Sequence, residues 1–311
     1  MSNKGSVVSV NISKEKGTVK VPVAEIVIDD KGAIGDAHAG SWHRQVSLLA
    51  AEDVEVFSKE AGRKISPGEF AENITVSGID LGRAAVLDRF IIGDVELEVT
   101  QIGKKCHGDG CAIFREIGQC VMPKRGLFCR VITGGTVKSA DRVEFIERPF
   151  AVRVLTLSDR AFAGVYTDRS GARAKEILEE YFAPKRWHCL VDNVLLADDA
   201  DELSGELRKA IENHVDVIFT LGGTGVGPRD ITPETVAGVC DKTIPGIMES
   251  IRVKYGKDKP SALLSRSVAG VAGRTLIYVL PGSVRAVEEY LSEILKTLEH
   301  TVYMLHGLDT H

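Results

Sequence analysis

Residues Val215 to Glu234 read VDVIFTLGGTGVGPRDITPE. The opening apolar run carries the β-branched residues Val215, Val217 and Ile218 and stops at a cluster of glycines, the pattern of a buried strand that ends in a loop. Gly222, Gly223, Gly225 and Gly227 fall within six residues. Glycine reaches positive φ and has no Cβ to hold a ligand away, so an anion can approach the loop's N–H groups. Thr232, Pro233 and Glu234 predict a helix start, with a hydroxyl N-cap, proline at the first helical position and an acid in the first turn. Asp230 is thereby held at the mouth of the loop. A tight turn without a ligand is the competing reading. The added density of Thr, Arg and Asp favours a binding loop.

On either side of this stretch, strands alternate with helices. AVRVLTLS is followed by a helix near Arg169 to Phe182, strand WHCLVDNVLL, a helix near Asp199 to Asn213, the VDVIFTL strand, and the late strand RTLIYVLP. One long helix is expected after Ser283, running to about Tyr303. The alternation predicts a three-layer α/β domain with a mostly parallel sheet, in which ligands bind at the carboxyl ends of the strands. Polar groups follow those ends: Ser158, Asp159 and Arg160, then Asp198 and Asp199, then the glycine loop, then Pro281 and Gly282. They are expected to converge. No Gly-Lys-Ser/Thr follows the loop and the glycines miss G-x-G-x-x-G spacing, which removes the Walker A and dinucleotide readings.

Toward the N-terminus the pattern changes. SVVSVNI, AEIVID, QVSLL, NITVSG, FIIGDVELEVTQI, GLFCRVIT and RVEFIE read as short strands, with one clear helix in AAEDVEVFSKEAG. This predicts a β-rich, barrel-like domain. The polar break at Glu147, Arg148 and Pro149 sets the boundary, giving domains 1–147 and 150–311. Within the first, IGDAHAGSWHRQVSLL places Asp36, His38, His43 and Arg44 on a Gly-rich loop suited to an anion, with Arg44 as the phosphate fork. For each histidine alone, a structural role is the competing reading. IGKKCHGDGCAIFREIGQCVMPKRGLFCRV sets Cys106, Cys111 and Cys120 among cations that lower thiol pKa values. The lack of a C-x-x-C pair disfavours a structural zinc site, and Cys129 alternates with apolar neighbours like a core residue.

With 311 residues, 27% charged and 44% hydrophobic, the chain has the composition of a two-domain globular protein. The net charge of -5 disfavours general nucleic-acid binding. No apolar run long enough to cross a membrane and no signal-peptide core occur, so no membrane partner and a cytoplasmic location are expected.

Two resemblances add to this reading. The order GDAHAG, RQVSLL, ENITVSGIDL, IGKKCH, GCAIF, GQCVMP, RGLFCRVITGG resembles the MOSC domain across nearly all of 1–147. It implies a barrel that binds molybdenum cofactor, with a cysteine that carries sulfur or contacts the metal. By position this is Cys120 in GQCVMP, with Cys111 second. VKSADRV departs from the Val-Gly-Asp type turn of the family's last hairpin. From 150 to 306, TLSDRAFAGVYTDRSG, LADD, TLGGTGVGPRDITPE, IPGIMESIR, ALLSRSVAG and VLPGS together resemble the molybdopterin-binding and adenylyltransferase family. That resemblance implies adenylylation of molybdopterin by ATP with Mg²⁺. Asp198 and Asp230 would hold the metal, and Gly222, Gly223, Thr224 and Gly225 would cradle phosphate. Ser158, Asp159, Arg160, Asp168 and Ser170 would line the pocket beside Pro281 and Gly282, while Ser265 and Arg266 would meet an anionic group. Val284 departs from the proline that commonly follows the LPGS motif. His38, Arg44 and Cys111 are the expected cofactor contacts of the first domain. A homotrimer and exchange with molybdoenzymes or other cofactor-assembly proteins are further implications. A non-catalytic carrier of the cofactor is the alternative, and TLGGTGVGPRDITPE argues against a hydrolase of the competence-damage family.

Overall fold

The computed structural model describes residues 2–104 and 121–308. The chain forms two compact units, Met1–Arg148 and Pro149–His311. Among the described residues, no helix is long and apolar enough to cross a membrane.

The first unit is a barrel. Its strands are β1 (Lys4–Ile12), β2 (Val21–Val23), β3 (Glu25–Asp29), β4 (Gly32–Ala33), β5 (Val46–Ala50), β6 (Ile74–Ser77), β7 (Arg89–Ile92), β8 (Val95–Ile102), β9 (Leu127–Thr133), β10 (Gly135–Lys138) and β11 (Arg142–Ile146). Seven of them close a ring in the order β1-β6-β5-β9-β8-β7-β11, with β11 pairing back onto β1. Closure removes the unpaired sheet edges an open arrangement would present. Only the β5 and β6 pair in the ring is parallel. Parallel neighbours need a crossover rather than a tight turn, and helix α1 (Ala51–Glu60) lies on that connection. Leu48, Ile74, Phe90, Leu97, Val99, Leu127 and Phe145 fill the interior.

FIIGDVELEVTQI, read as one strand, is a hairpin: Ile92 pairs with Val95 across Gly93 and Asp94. Gly93 sits at φ +59°, which makes the two-residue turn accessible. The last hairpin is also corrected. Strand β10 pairs with β3 and β11 with β7 and β1, so the VKSADRV connection joins strands of two different sheets.

The second unit is three-layered, as its alternation of elements requires. It comprises β12 (Phe150–Leu157), α2 (Asp159–Phe162), α3 (Arg169–Phe182), β13 (Cys189–Leu196), α4 (Ala200–Glu212), β14 (Val217–Leu221), α5 (Thr232–Ala237), β15 (Lys242–Thr243), α6 (Pro245–Gly256), β16 (Ala269–Ala272), β17 (Thr275–Leu280), α7 (Val284–Ile294) and α8 (Leu298–Leu305). The sheet order is β13-β12-β14-β17-β16-β15. The first four strands are parallel, β16 pairs antiparallel with β17, and β15 pairs antiparallel with β16. Strand β14 lies inside the sheet, and its period of two feeds both faces. Val217, Phe219 and Leu221 join the core under α3, α6, α7 and α8, whereas Ile218 joins the core under α4 and α5. That double burial is why VDVIFTL reads as a continuous apolar run. Each such side chain contributes about 1.5–3 kcal/mol on leaving water.

Two local expectations change. The single C-terminal helix divides into α7 and α8 because the chain tightens after Ile294. Lys296 N–H bonds Glu293 O at 3.2 Å and Thr297 N–H bonds Ile294 O at 3.0 Å, both spanning three residues. This redirects Leu298 and Val302 into the core. Thr232 is not an N-cap but the first residue of α5; Ile231 stands at the cap with no side-chain bond.

Candidate functional site

Strand β14 delivers the glycine loop to the carboxyl edge of the sheet, and its glycines are fixed by the protein's own atoms. Gly222 has φ +107°, and a Cβ there would lie 2.5 Å from Leu157 O. Gly223 has φ +61°, with a would-be Cβ 2.4 Å from the buried Thr232 Oγ1. At Gly225 a Cβ would meet Asp230 Oδ2 at 2.7 Å. Asp230 Oδ2 accepts the Gly227 N–H at 2.8 Å, so this carboxylate closes the loop on itself. Gly223, Thr224 and Gly225 nevertheless keep N–H groups with no hydrogen-bond partner among the described residues. A short run of unpaired N–H groups is an anion-binding concavity.

Arg266 holds the loop from its other side. Its Nε donates to Gly225 O at 2.5 Å and its Nη2 to Asp230 O at 2.6 Å. Nη1 pairs with Glu234, and the Arg266 N–H bonds Thr224 O at 3.0 Å. The guanidinium therefore fixes the shape of the loop. Ser265 Oγ lies 2.8 Å from Ser267 Oγ. Gly282, in the turn after Pro281, comes so near that a Cβ would lie 3.1 Å from Gly222 Cα. A cleft of about 470 Å³ opens here, lined by Ala200, Val226, Gly227, Asp230, Glu234 and Arg266.

The neighbouring strand ends supply a second group. Asp159 and Asp198 exchange bonds: Asp159 N–H reaches Asp198 Oδ2 at 3.2 Å, and Asp198 N–H reaches Asp159 Oδ1 at 2.9 Å. Arg229, from the glycine loop, donates to Asp159 Oδ2 at 2.5 Å and ties the two groups together. Ser158 caps the short α2 by accepting from Ala161 N–H at 3.3 Å and lies 2.8 Å from Tyr166 Oη. The Arg160 guanidinium stacks 5.4 Å from the Tyr166 ring centroid. Asp168 and Ser170 stand at the start of α3, where Asp168 Oδ1 accepts from Gly171 N–H at 2.9 Å and Ser170 Oγ at 3.0 Å. Burial opposes ionisation of Asp168, but the Gly171 N–H together with Thr156, Ser170 and Asn193 outweighs it and lowers its pKa. These bonds order the helix start and run to no atom of the glycine loop.

Sequence reasoning counted Arg229 only toward the polar density of the loop and missed its partner, and it missed Tyr166. Arg229 precedes an acid already singled out, and only the tertiary structure shows that it spans to another strand end. Tyr166 has no periodic signal in its loop.

In the barrel, Asp36 is buried and accepts from Lys20 Nζ at 2.6 Å, Ser13 N–H at 3.0 Å and His38 N–H at 2.9 Å. The His38 ring sits with Nδ1 3.3 Å from Asp36 Oδ1. Burial opposes ionisation of Asp36, yet His38, Lys20 and the Ser13 N–H hold its carboxyl far below the usual carboxylate range. Arg44 covers the Trp42 ring, 4.7 Å from its centroid. Burial pushes the Cys129 thiol up, consistent with a core residue. Cys106, His107, Cys111 and Cys120 lie outside the described residues.

A mostly parallel α/β sheet with a glycine loop and paired acids at its carboxyl edge places the candidate site where domains of this class bind ligands. Residues 153–300 match the family described as a probable molybdopterin binding domain, and residues 35–144 match the MOSC domain. The molybdopterin adenylyltransferase of Helicobacter pylori (strain J99) is 37% identical over 158 residues, which cover 50% of this chain and 88% of the relative. The molybdenum cofactor synthesis protein cinnamon of Drosophila melanogaster is 37% identical over 153 residues, covering 49% of this chain and 25% of that protein. A solved structure of the molybdopterin biosynthesis enzyme MoaB from Thermus thermophilus is 36% identical, covers 51% of this chain and 97% of that chain, and has a TM-score of 0.45. The chain belongs to the molybdopterin-binding domain family through its C-terminal unit and carries a MOSC domain in its N-terminal unit.

Proposed function

We propose that the C-terminal unit transfers an adenylyl group from ATP to molybdopterin. A terminal phosphate oxygen of molybdopterin attacks the α-phosphorus of ATP, and the bond to the leaving pyrophosphate breaks as the new P–O bond forms. The observation that carries this reading is the run of unpartnered N–H groups at Gly223, Thr224 and Gly225 on the strand-end loop. Such donors stabilise negative charge as it builds on phosphoryl oxygens, and they need no reorganisation because Asp230 and Arg266 already fix the loop. The activity of the Helicobacter pylori relative supports the same assignment.

Asp198 and Asp230 are the carboxylates that would hold Mg²⁺. Among the described residues no group of three or more His, Cys, Asp or Glu side chains is gathered for a metal. Two carboxylates would suit Mg²⁺, which usually takes one or two and completes its shell with water and substrate phosphate. The ion, when bound, would neutralise phosphate charge. Asp198 and Asp230 would orient it, and the glycine loop would bind and align the reacting phosphates.

The N-terminal MOSC unit binds molybdenum cofactor in this proposal, with Cys120 as sulfur carrier and Cys111 in support. His38 and Arg44 contribute polar contacts. The chain acts as a cytoplasmic homotrimer that passes cofactor to molybdoenzymes or assembly partners. Purified full-length chain incubated with molybdopterin, MgATP and pyrophosphatase should yield adenylylated molybdopterin by mass spectrometry. Retained molybdopterin binding with no adenylylated product would overturn the catalytic assignment. Given a separate persulfide donor, the wild-type chain should take its outer sulfur onto Cys120 as the donor thiol leaves; Cys120→Ala should abolish that transfer, and unchanged sulfur loading would remove Cys120 from its role.

A further inference from the structure

We infer that Arg229 is a two-position arginine, resting on Asp159 in the free protein and moving to the nucleotide's phosphates on binding, which uncovers Asp159 beside Asp198. The inference rests on the proposed nucleotide chemistry of this site.

The two arginines of the loop differ in what holds them. Arg266 has all three guanidinium nitrogens engaged, on Gly225 O, Asp230 O and Glu234. Arg229 makes one contact, Nη1 to Asp159 Oδ2, and its remaining guanidinium nitrogens have no partner among the described residues. Its side chain is 75% exposed and that of Asp159 40%. An exposed ion pair of this kind is weak and screened by salt. A polyphosphate offers the same guanidinium bidentate, charge-assisted bonds, which are stronger. Arg229 also stands next to Asp230, whose carboxylate closes the loop that presents the unpartnered N–H groups. Its long side chain thus starts at the rim of the phosphate cradle.

The acids on the other side make the position of Arg229 matter. Asp159 and Asp198 are locked together through reciprocal N–H to carboxylate bonds, so two negative groups share one strand-end corner. Arg229 supplies the positive charge there in the free protein. A divalent cation held by Asp198, beside Asp159, would repel the guanidinium, while phosphate attracts it, so both ligands favour the same displaced position. Their binding is therefore coupled, and the coupling is reciprocal.

The test measures cation and phosphate binding separately on the full chain, using Mn²⁺ alone and metal-free pyrophosphate alone by titration calorimetry. Arg229→Gln should tighten Mn²⁺ binding by roughly 2- to 5-fold, the worth of an exposed competing pair. It should weaken pyrophosphate binding by roughly 10- to 100-fold, the worth of a charged hydrogen bond. Arg229→Lys should fall between wild type and Arg229→Gln for pyrophosphate. A purely structural role would weaken both ligands together, and that result, or two affinities unchanged within a factor of about two, overturns the inference. Opposite movements in a protein that makes no adenylylated molybdopterin would keep the switch and remove the catalytic reading. Normal turnover with unmoved affinities would do the reverse.

Discussion

Each unit contains an acid–base pair that joins distant parts of its chain, and the two pairs are physically opposite. In the barrel, Lys20 and Asp36 meet at 2.6 Å with side chains only 1% and 0% exposed. In the α/β unit, Arg229 and Asp159 meet at 2.5 Å with side chains 75% and 40% exposed. Asp36 is further saturated by the Ser13 and His38 N–H groups, whereas Arg229 leaves donors unused. Burial makes the first pair costly to break and therefore structural. Exposure makes the second cheap to exchange and therefore usable by a ligand. Contact distance alone does not separate the two roles; the surroundings do.

The largest expected effect comes from separating the buried pair. Asp36→Asn keeps the shape but leaves the Lys20 ammonium buried without its counter-charge, which should destabilise the barrel by about 3–5 kcal/mol. Hydrogen exchange resolved by peptide should show the loss in residues 4–50 and leave β12, β14 and β17 protected. Adding Lys20→Met should recover more than half of it, because the uncompensated charge is removed; no recovery would mean that the Ser13 and His38 N–H groups donating to the acid, not the ion pair, hold the fold. The pH dependence has a definite sign. A carboxyl held below its unfolded value contributes stability that is fully present above about pH 4 and is lost as pH falls from there toward the folded value. The Asn variant should lack that acid-induced loss.

A smaller effect is expected at Gly223, which tests the loop that the exposed pair borders. Gly223→Ala places a Cβ at φ +61° and 2.4 Å from Thr232 Oγ1. The left-handed conformation costs about 1–2 kcal/mol for a residue with a Cβ, and relieving the contact needs a χ1 change of the buried Thr232, so a total of about 2–4 kcal/mol is expected. Adenylyl transfer should fall by more than the fraction unfolded, because the displaced loop no longer aims its N–H groups at phosphate. Wild-type turnover at full stability loss would show that the loop's shape is dispensable.

How much of this is legible in the sequence depends on the range of the interaction. The α/β alternation, the β14 run and the extent of α3 are local patterns of burial, and period and length disclose them. The span Arg169–Phe182 follows from an Asp168 cap and an apolar stripe ending at Phe182. The glycine loop is legible as a loop, but its glycines serve first to let Leu157 O, Thr232 Oγ1 and Asp230 approach, which no spacing reveals. Thr232 reads as a cap because hydroxyls before Pro-Glu usually are; here its N–H is needed by Gly223 O, which draws it into the helix. The Asp159, Asp198 and Arg229 corner depends on three strand ends meeting. Lys20 lies in a polar stretch with no periodic signal, so its burial against Asp36 is invisible there.

The smallest effect expected is the stability change on breaking the exposed pair. Arg229→Gln removes the only described contact of that guanidinium, in a setting where double-mutant cycles give about 0–1 kcal/mol. Chemical denaturation of the α/β unit should therefore shift by no more than that, and less at high salt, since screening weakens an exposed pair further. Asp159→Asn should match it, because the amide retains an oxygen for the Asp198 N–H while losing the charge. The double variant should add nothing to either single one beyond about 0.5 kcal/mol. A loss of several kcal/mol from Arg229→Gln would place this pair in the same category as Lys20 and Asp36. An arginine so firmly required by the fold could not leave Asp159 when phosphate arrives. Near-neutral stability together with altered ligand affinity is the combination that only an exchangeable pair produces.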